Sequence, residues 1–346
     1  MASSGMSFRR RALAVVAVLV LITVISGLYL AIQQPKLEST LIVYGPKGIR
    51  SFANEAVRIF SQKYGVNATF VHYGMGSIEI ANRLISEKSS PTADVILGLP
   101  EFYAKPVIES DVLEAYSPLN LGEIPSNKIW DQTGHVLPVD EGYIVIVYNE
   151  TIVTERHLPV PSTLDDLLDS RFKELLIYPN PLTSGTGLSF LTWVLTDKGE
   201  DDGWQYLHRL KENVLFYPTG WTEAMDAFIR GEAAVGVMFN TDTVYSETPN
   251  LNSTMASGFV YREGVALVKG APHKEAAKKF IEFMLSKEGQ DLAAPKGYVY
   301  PVRPDATLSG DVAQARVPSS LVSFNPSLGG NADVWRDKWN REILGS

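Results

Sequence analysis

The sequence predicts an α/β fold of two lobes with a cleft between them, preceded by an N-terminal hydrophobic helix. Three observations lead there. An apolar run at 12–32 follows three consecutive arginines, Arg9, Arg10 and Arg11. Beyond it, short runs of β-branched residues alternate with amphipathic stretches of helical length, the pattern of βαβ units and a mainly parallel sheet. The chain is also long, and 346 residues hold two domains of ordinary size better than one sheet with so many strands.

The N-terminal run comes first. A helix of roughly 20 residues rising about 1.5 Å per residue matches a hydrocarbon core of roughly 30 Å. The arginines keep their end cytoplasmic, which places everything after Gln33 outside. Cleaved signal peptides have apolar cores of about 7–15 residues, so the longer run here reads as an uncleaved membrane anchor. Cleavage near Ala31 is the alternative and would leave a secreted or periplasmic protein. A polar linker (Gln33, Gln34, Pro35, Lys36) closes the segment at 1–36. With no cysteine in the chain, disulfides, thiolate metal sites, a cysteine nucleophile and a lipid-bearing cysteine are all excluded. Three Asn-x-Ser/Thr triplets, at Asn67, Asn149 and Asn252, are compatible with export. A net charge of -8 speaks against nucleic acid as a partner.

The exported part opens on a buried strand, Thr40–Tyr44, a loop at 45–48 and a helix at 51–64. A strand at 68–73, a glycine-rich turn at 74–76, a helix at 78–86 and a buried strand at 94–99 follow. Strands at 135–139 and 143–148 flank Asp140-Glu141-Gly142, and a short helix at 164–168 precedes a strand at 174–178. Helices are expected at 187–196, 203–212 and 223–230, a strand at 233–239 and a strongly amphipathic helix at 274–286. Ligands of open α/β sheets bind beyond the carboxyl ends of the strands, where the loops at 45–48 and 74–77 fall.

Several stretches resemble the type 2 periplasmic solute-binding proteins of ABC importers. They are the run at 93–99 (ADVILGL), the run at 137–143 (LPVDEGY), and 274–290 (KEAAKKFIEFMLSKEGQ) followed by Tyr298-Val299-Tyr300-Pro301-Val302. Within that superfamily the chain is similar to the thiamine-binding branch. The similarity lies in Ile177-Tyr178-Pro179-Asn180-Pro181-Leu182-Thr183-Ser184, in Thr219-Gly220-Trp221-Thr222-Glu223-Ala224, and in Trp335-Arg336-Asp337-Lys338-Trp339. The resemblance implies two α/β lobes joined by two crossing strands and closing over one solute, with no catalytic step and no cofactor. It implies lobe 1 at 37–137 and 264–346, lobe 2 at 138–263, and a permease and an ATPase as partners.

The resemblance also implies a ligand site. A flat cation such as thiamine calls for aromatic faces, each contributing roughly 0.5–2 kcal/mol. Trp221 and Tyr245 are the candidates, with Tyr298 closing the cleft. Phe239, Asn240, Thr241 and Asp242 follow the late strand, and Asp242 offsets a cation or caps a helix. Ser184 and Gly185 open a helix whose backbone N–H groups, with the Ser184 and Thr186 hydroxyls, suit a phosphate. Gly76 and Ser77 stand where thiamine binders carry an acidic residue and a glycine, and the loop at 45–48 brings a lysine in place of a tyrosine-containing segment. Both departures suit an anion or a hydroxylated ligand. Ferric ion and a small oxyanion are the alternative solutes within the superfamily. An enzyme is the less favoured class, because the chain has no His-Glu-x-x-His helix, no Gly-x-Ser-x-Gly elbow and no Walker A loop, and its five histidines are scattered.

Overall fold

The aliphatic runs become strands wherever both of their faces can be covered. In the computed structural model, which describes Val16, Leu19 and residues 37–345 apart from Met75, 246–249 and 326–330, β1 (Thr40–Tyr44), β2 (Asn67–Val71) and β3 (Val95–Pro100) lie side by side. They are parallel, in the order β2-β1-β3. Every residue of β3 is buried, as expected of an unbroken apolar run covered on both faces. The connecting helices are α1 (Arg50–Tyr64), α2 (Ser77–Ser86) and α3 (Glu101–Glu109). α1 stops at Gly65, whose φ of 69° is the left-handed conformation that glycine supplies at a helix end.

After β4 (Leu113–Glu114) comes β5 (Leu137–Asn149), the longest strand. The sequence pattern predicts two strands here, at 135–139 and 143–148, on either side of Asp140-Glu141-Gly142. The structure shows one continuous strand through those residues, because partners on both sides satisfy the backbone at the charged pair. The second half of the chain then adds α4 (Glu150–Glu155), β6 (Leu176–Ile177), α5 (Gly185–Lys198), α6 (Glu200–Leu210), β7 (Val214–Phe216), α7 (Trp221–Ile229), β8 (Val235–Phe239) and β9 (Leu251–Ser253). β10 (Gly258–Val268) returns antiparallel to both β3 and β5, in a stretch where no strand was expected. α8 (Lys274–Met284), α9 (Lys287–Gln290), β11 (Tyr300–Pro301), β12 (Leu321–Val322) and α10 (Ala332–Trp339) complete the chain.

Hydrogen bonding therefore runs unbroken through β2-β1-β3-β10-β5-β8-β6-β7. Parallel triplets occupy the two ends, and the long antiparallel strands β5 and β10 cross between them. The glutamine that ends the LSKEGQ stretch secures this crossing. Gln290 is fully buried, donates to the Val139 carbonyl at 2.8 Å and accepts from the Val302 amide at 2.8 Å, tying β5 to the segment that follows β11. α10, in the segment expected with the first lobe, reaches both ends. Trp339 donates from Nε1 to the Tyr178 hydroxyl at 3.1 Å, while Arg336 donates to the Leu182 carbonyl at 2.9 Å and to the Tyr103 hydroxyl at 3.0 Å.

The membrane anchor read from 12–32 falls almost wholly outside the described residues. Among the described residues, no helix is long and apolar enough to cross a membrane.

Candidate functional site

In an α/β layer, each strand-to-helix loop ends on a helix N-terminus carrying unpaired N–H groups and about +0.5 of a charge. Four such ends meet around one cavity of about 400 Å³: those of α1 (Arg50, Ser51), α2 (Ser77), α5 (Gly185, Thr186) and α7 (Trp221, Thr222). The cavity floor is made by the crossing strands, which contribute Tyr261 and Glu263, and by Phe239 at the end of β8.

Of the eleven residues singled out from the sequence, Gly76, Ser77, Ser184, Gly185, Trp221, Phe239, Thr241, Asp242, Tyr245 and Tyr298 line this cavity. Asn240 does not. It is completely buried behind the cavity, where its Nδ2 donates to the Tyr300 hydroxyl at 2.8 Å and to the Arg316 carbonyl at 3.0 Å.

One wall is aromatic and acidic. Trp221, Tyr245 and Tyr298 form an edge-to-face chain, with ring centroids 6.2 Å and 4.9 Å apart. Tyr298 sits at φ 54°, a left-handed conformation that is uncommon for a residue with a side chain. Beneath Trp221, the buried Asp242 accepts from the indole Nε1–H at 3.0 and 3.1 Å and from the Phe239 amide at 2.9 Å. Burial pushes the Asp242 carboxyl up to about 7, against these donors. Glu223 and Asp226 project from the first turns of α7 on the same side, and Glu223 also caps the helix by accepting from the Thr219 amide at 2.7 Å.

The opposite wall is small and basic. Gly48, Gly74 and Gly76 carry no bulk, and Lys47, Arg50 and Lys296 are exposed at the rim. Glu79, near the missing carboxylate position, is used locally: it accepts from the Gly76 amide at 3.1 Å and caps α2. The walls touch at one end of the cavity. The Gly185 amide donates to Ser77 Oγ at 2.8 Å, and a methyl group on Gly76 would lie 2.2 Å from the Thr183 carbonyl oxygen.

Lys47 belongs to the lysine-bearing loop noted in the sequence, whereas Arg50, Lys296, Tyr261 and Glu263 went unrecognised as cavity residues. Lys296 and Glu263 come from elements far apart in the chain, so no local spacing marks them. A faint signal did exist for Glu263: Arg262-Glu263-Gly264 in β10 echoes Asp140-Glu141-Gly142 in β5, and their charged residues pair across the strands, Arg262 with Glu141 and Glu263 with Asp140.

Residues 90–323 match the family of bacterial extracellular solute-binding proteins, over more than half of the chain. The chain belongs to that family. Its members serve ABC transporters as binding proteins. The chain is 25% identical over 285 residues to the thiamine-binding periplasmic protein of Escherichia coli (strain K12), covering 77% of this chain and 81% of the relative. It is 27% identical over 311 residues to a putative 2-aminoethylphosphonate-binding periplasmic protein of Salmonella typhimurium, covering 84% and 87%. Its fold matches the periplasmic binding protein AfuA of Actinobacillus pleuropneumoniae, solved with fructose-6-phosphate bound, at a TM-score of 0.78 and 25% identity over 89% of this chain and 100% of the other. The resemblance to type 2 solute-binding proteins, thiamine binders among them, is therefore shown, and the mixed α/β architecture is shared with them. For a solute-binding protein, a cavity walled by four helix N-termini is the expected place of capture.

Proposed function

We propose that this solute-binding protein captures a phosphate ester bearing an organic cation, with thiamine phosphate the best-fitting ligand, and delivers it to the permease of an ABC importer. The observation that carries the reading is the polarity of the cavity. The N-termini of α1, α2 and α5, with Lys47, Arg50 and Lys296, favour negative charge at one side, while Trp221 and the carboxylates Glu223, Asp226 and Asp242 favour positive charge at the other. A thiazolium and aminopyrimidine against the aromatic chain, with the phosphate between Ser77 and Ser184–Thr186, uses both sides at once. The two departures from the thiamine pattern, the lysine loop and Gly76-Ser77, then become the phosphate side of the same site. Relatives named for thiamine and for an aminophosphonate support a ligand of mixed charge.

The size of the cavity supports an organic ligand over a ferric ion or a lone oxyanion. At about 400 Å³ it falls in the range of small-molecule pockets, roughly 300–1,000 Å³. The lobes expected at 37–137 with 264–346 and at 138–263 would open about β5 and β10, and a ligand touching both walls would favour the closed form by its differential affinity. Calorimetric titration of the full chain with thiamine monophosphate, thiamine, fructose-6-phosphate, inorganic phosphate and Fe(III) tests the reading. Thiamine monophosphate is expected to bind at least tenfold more tightly than any of the others. Tighter binding of Fe(III), inorganic phosphate or the sugar phosphate would overturn it.

A further inference from the structure

The strands that cross between the two ends of the sheet carry a buried carboxyl pair, one member of which lines the cavity, and among the described residues no cation is paired with either. Asp140 on β5 and Glu263 on β10 are directly opposed in the antiparallel register, which brings their Cβ atoms to about 4.5–5.5 Å on one face. They are 3% and 5% exposed. Pro301 on β11 is the next neighbour of Asp140, and Pro100 on β3 is the next neighbour of Glu263, so the row is closed by proline at both ends. Asp140 Oδ1 has no hydrogen-bond partner among the described residues.

The residues one step along the strands are arranged in the opposite way. Arg262 donates to Glu101 at 3.1 Å and lies 3.6 Å from Glu141, which is also bonded by Lys128. There, two cations serve two carboxylates. In the Asp140–Glu263 row, among the described residues, the two carboxyls face each other with Tyr261 as the one hydrogen-bond donor, and Glu263 borders the cleft. The other charged groups on that cavity are Lys47, Arg50 and Lys296 at the rim, Glu223 and Asp226 on α7, and Asp242 under Trp221.

We propose that Asp140 and Glu263 form a proton site in the crossing strands, where one shared proton is taken up as the cleft closes and released as it opens. Two adjacent carboxylates cannot both stay ionised in a buried, cation-free row, so the closed form holds a proton between them. Opening exposes the cavity floor to water and removes the reason to hold it. A run of polar contacts connects this site to the closing contact. Tyr261 donates to Glu263 Oε1 at 2.9 Å, the Tyr261 and Ser77 hydroxyls both lie against Gly185, and the Gly185 amide donates to Ser77 Oγ at 2.8 Å. The proton therefore sits two side chains from the point where the walls meet.

The direction of the effect follows from linkage. Burial, with the neighbouring carboxylate, raises Asp140 well above its usual range, and burial raises Glu263 to about 7. Below the ordinary carboxylate range, about 4, both forms are protonated and closure does not respond to pH. Above it and up to about 7, closing takes up a proton, so the closed population falls as pH rises.

Two ligand-free measurements on the full chain test this. Because the chain has no cysteine, Arg58→Cys and Glu232→Cys accept one spin label each, on exposed sites of the two ends. The distance between them reports the closed population by pulsed electron resonance. The ratio of closed to open chains is expected to fall at least threefold from pH 5.5 to 8, and to become pH-independent in Glu263→Gln and in Asp140→Asn. Infrared spectra at pH 6 are expected to show the carbonyl band of a protonated carboxylic acid that both variants lose. An unchanged ratio across that pH range, a response surviving in both variants, or no acid band assignable to the pair would overturn the proposal. No solute enters either measurement, so its outcome is separable from the identity of the ligand.

Discussion

The two walls of the cavity solve different problems. The wall from the second half is built of large, oriented side chains: Trp221, Tyr245 and Phe239 are held by ring contacts, and Asp242 is fixed by three donated hydrogen bonds. The wall from the first half is built of backbone. Gly76 lets main chain approach closely, Gly48 and Gly74 add no bulk, and its cations lie at the rim. The first wall can discriminate by shape and by the sign of charge on a ring. The second can offer N–H groups to any anion and, having little bulk, can seat tightly against the other wall. Selectivity should therefore reside mostly in the second half, and closure mostly in the first.

The largest expected effect breaks closure without touching an oriented side chain. Gly76 has ordinary extended angles, φ -78° and ψ 175°, so alanine there costs nothing in backbone strain. Its methyl group would nevertheless fall 2.2 Å from the Thr183 carbonyl oxygen on the facing wall. Overpacking of this kind costs about 1–3 kcal/mol, here only in the closed form. Gly76→Ala is expected to weaken thiamine monophosphate binding roughly 100-fold by calorimetry, near the top of that range, while the thermal midpoint of the ligand-free protein stays within about 2 °C. A large drop in that midpoint would show that Gly76 is needed for folding instead.

The next effect bears on the oriented wall. Removing the Trp221 ring forfeits its attraction for a cation, up to about 2 kcal/mol, or roughly 30-fold in affinity. Trp221→Ala also leaves Asp242 buried with fewer donors, whereas Trp221→Phe keeps a ring and loses only the indole N–H. If the wall reads a cation, Trp221→Ala loses roughly 30-fold for thiamine monophosphate and little for inorganic phosphate, with Trp221→Phe in between. Equal losses for both ligands would place the cation elsewhere.

How far the chain could be read from sequence differs between the walls for the same physical reason. Trp221, Asp242 and Tyr245 were singled out through the resemblance to the thiamine-binding branch, and only Trp221, at the mouth of a predicted helix, also stands out from its local pattern. Ser77 and Ser184 were visible as helix starts. Glu263 and Lys296 were not, since a cavity floor is assembled from strands and loops that only the folded register brings together. The same limit explains β5 and β10. Charged pairs in the middle of Leu137–Asn149 and Gly258–Val268 look like turns, because nothing local shows that β11, β3 and the neighbouring crossing strand will satisfy the backbone there. Asn240 differs from its neighbours: Phe239 and Thr241 line the cavity, while its own amide turns inward to Tyr300. The parallel strands β1 and β3, by contrast, are local apolar runs and were read almost to the residue.

The smallest expected effect falls on the rim of the backbone wall. Lys47 is exposed and has no ion-pair partner among the described residues, so its contribution to a bound phosphate is that of a solvent-screened charge, about 0–1 kcal/mol. Lys47→Ala is expected to weaken thiamine monophosphate about threefold at low salt and to leave thiamine itself unchanged. The difference should fade as ionic strength rises toward about 1 M, where the screening length is about 3 Å. Trp221→Ala should show no such dependence on salt beyond that of the wild type, since its ring acts at contact. If the two variants respond to salt alike, the division of labour between the walls is wrong, and charge recognition must be shared by both.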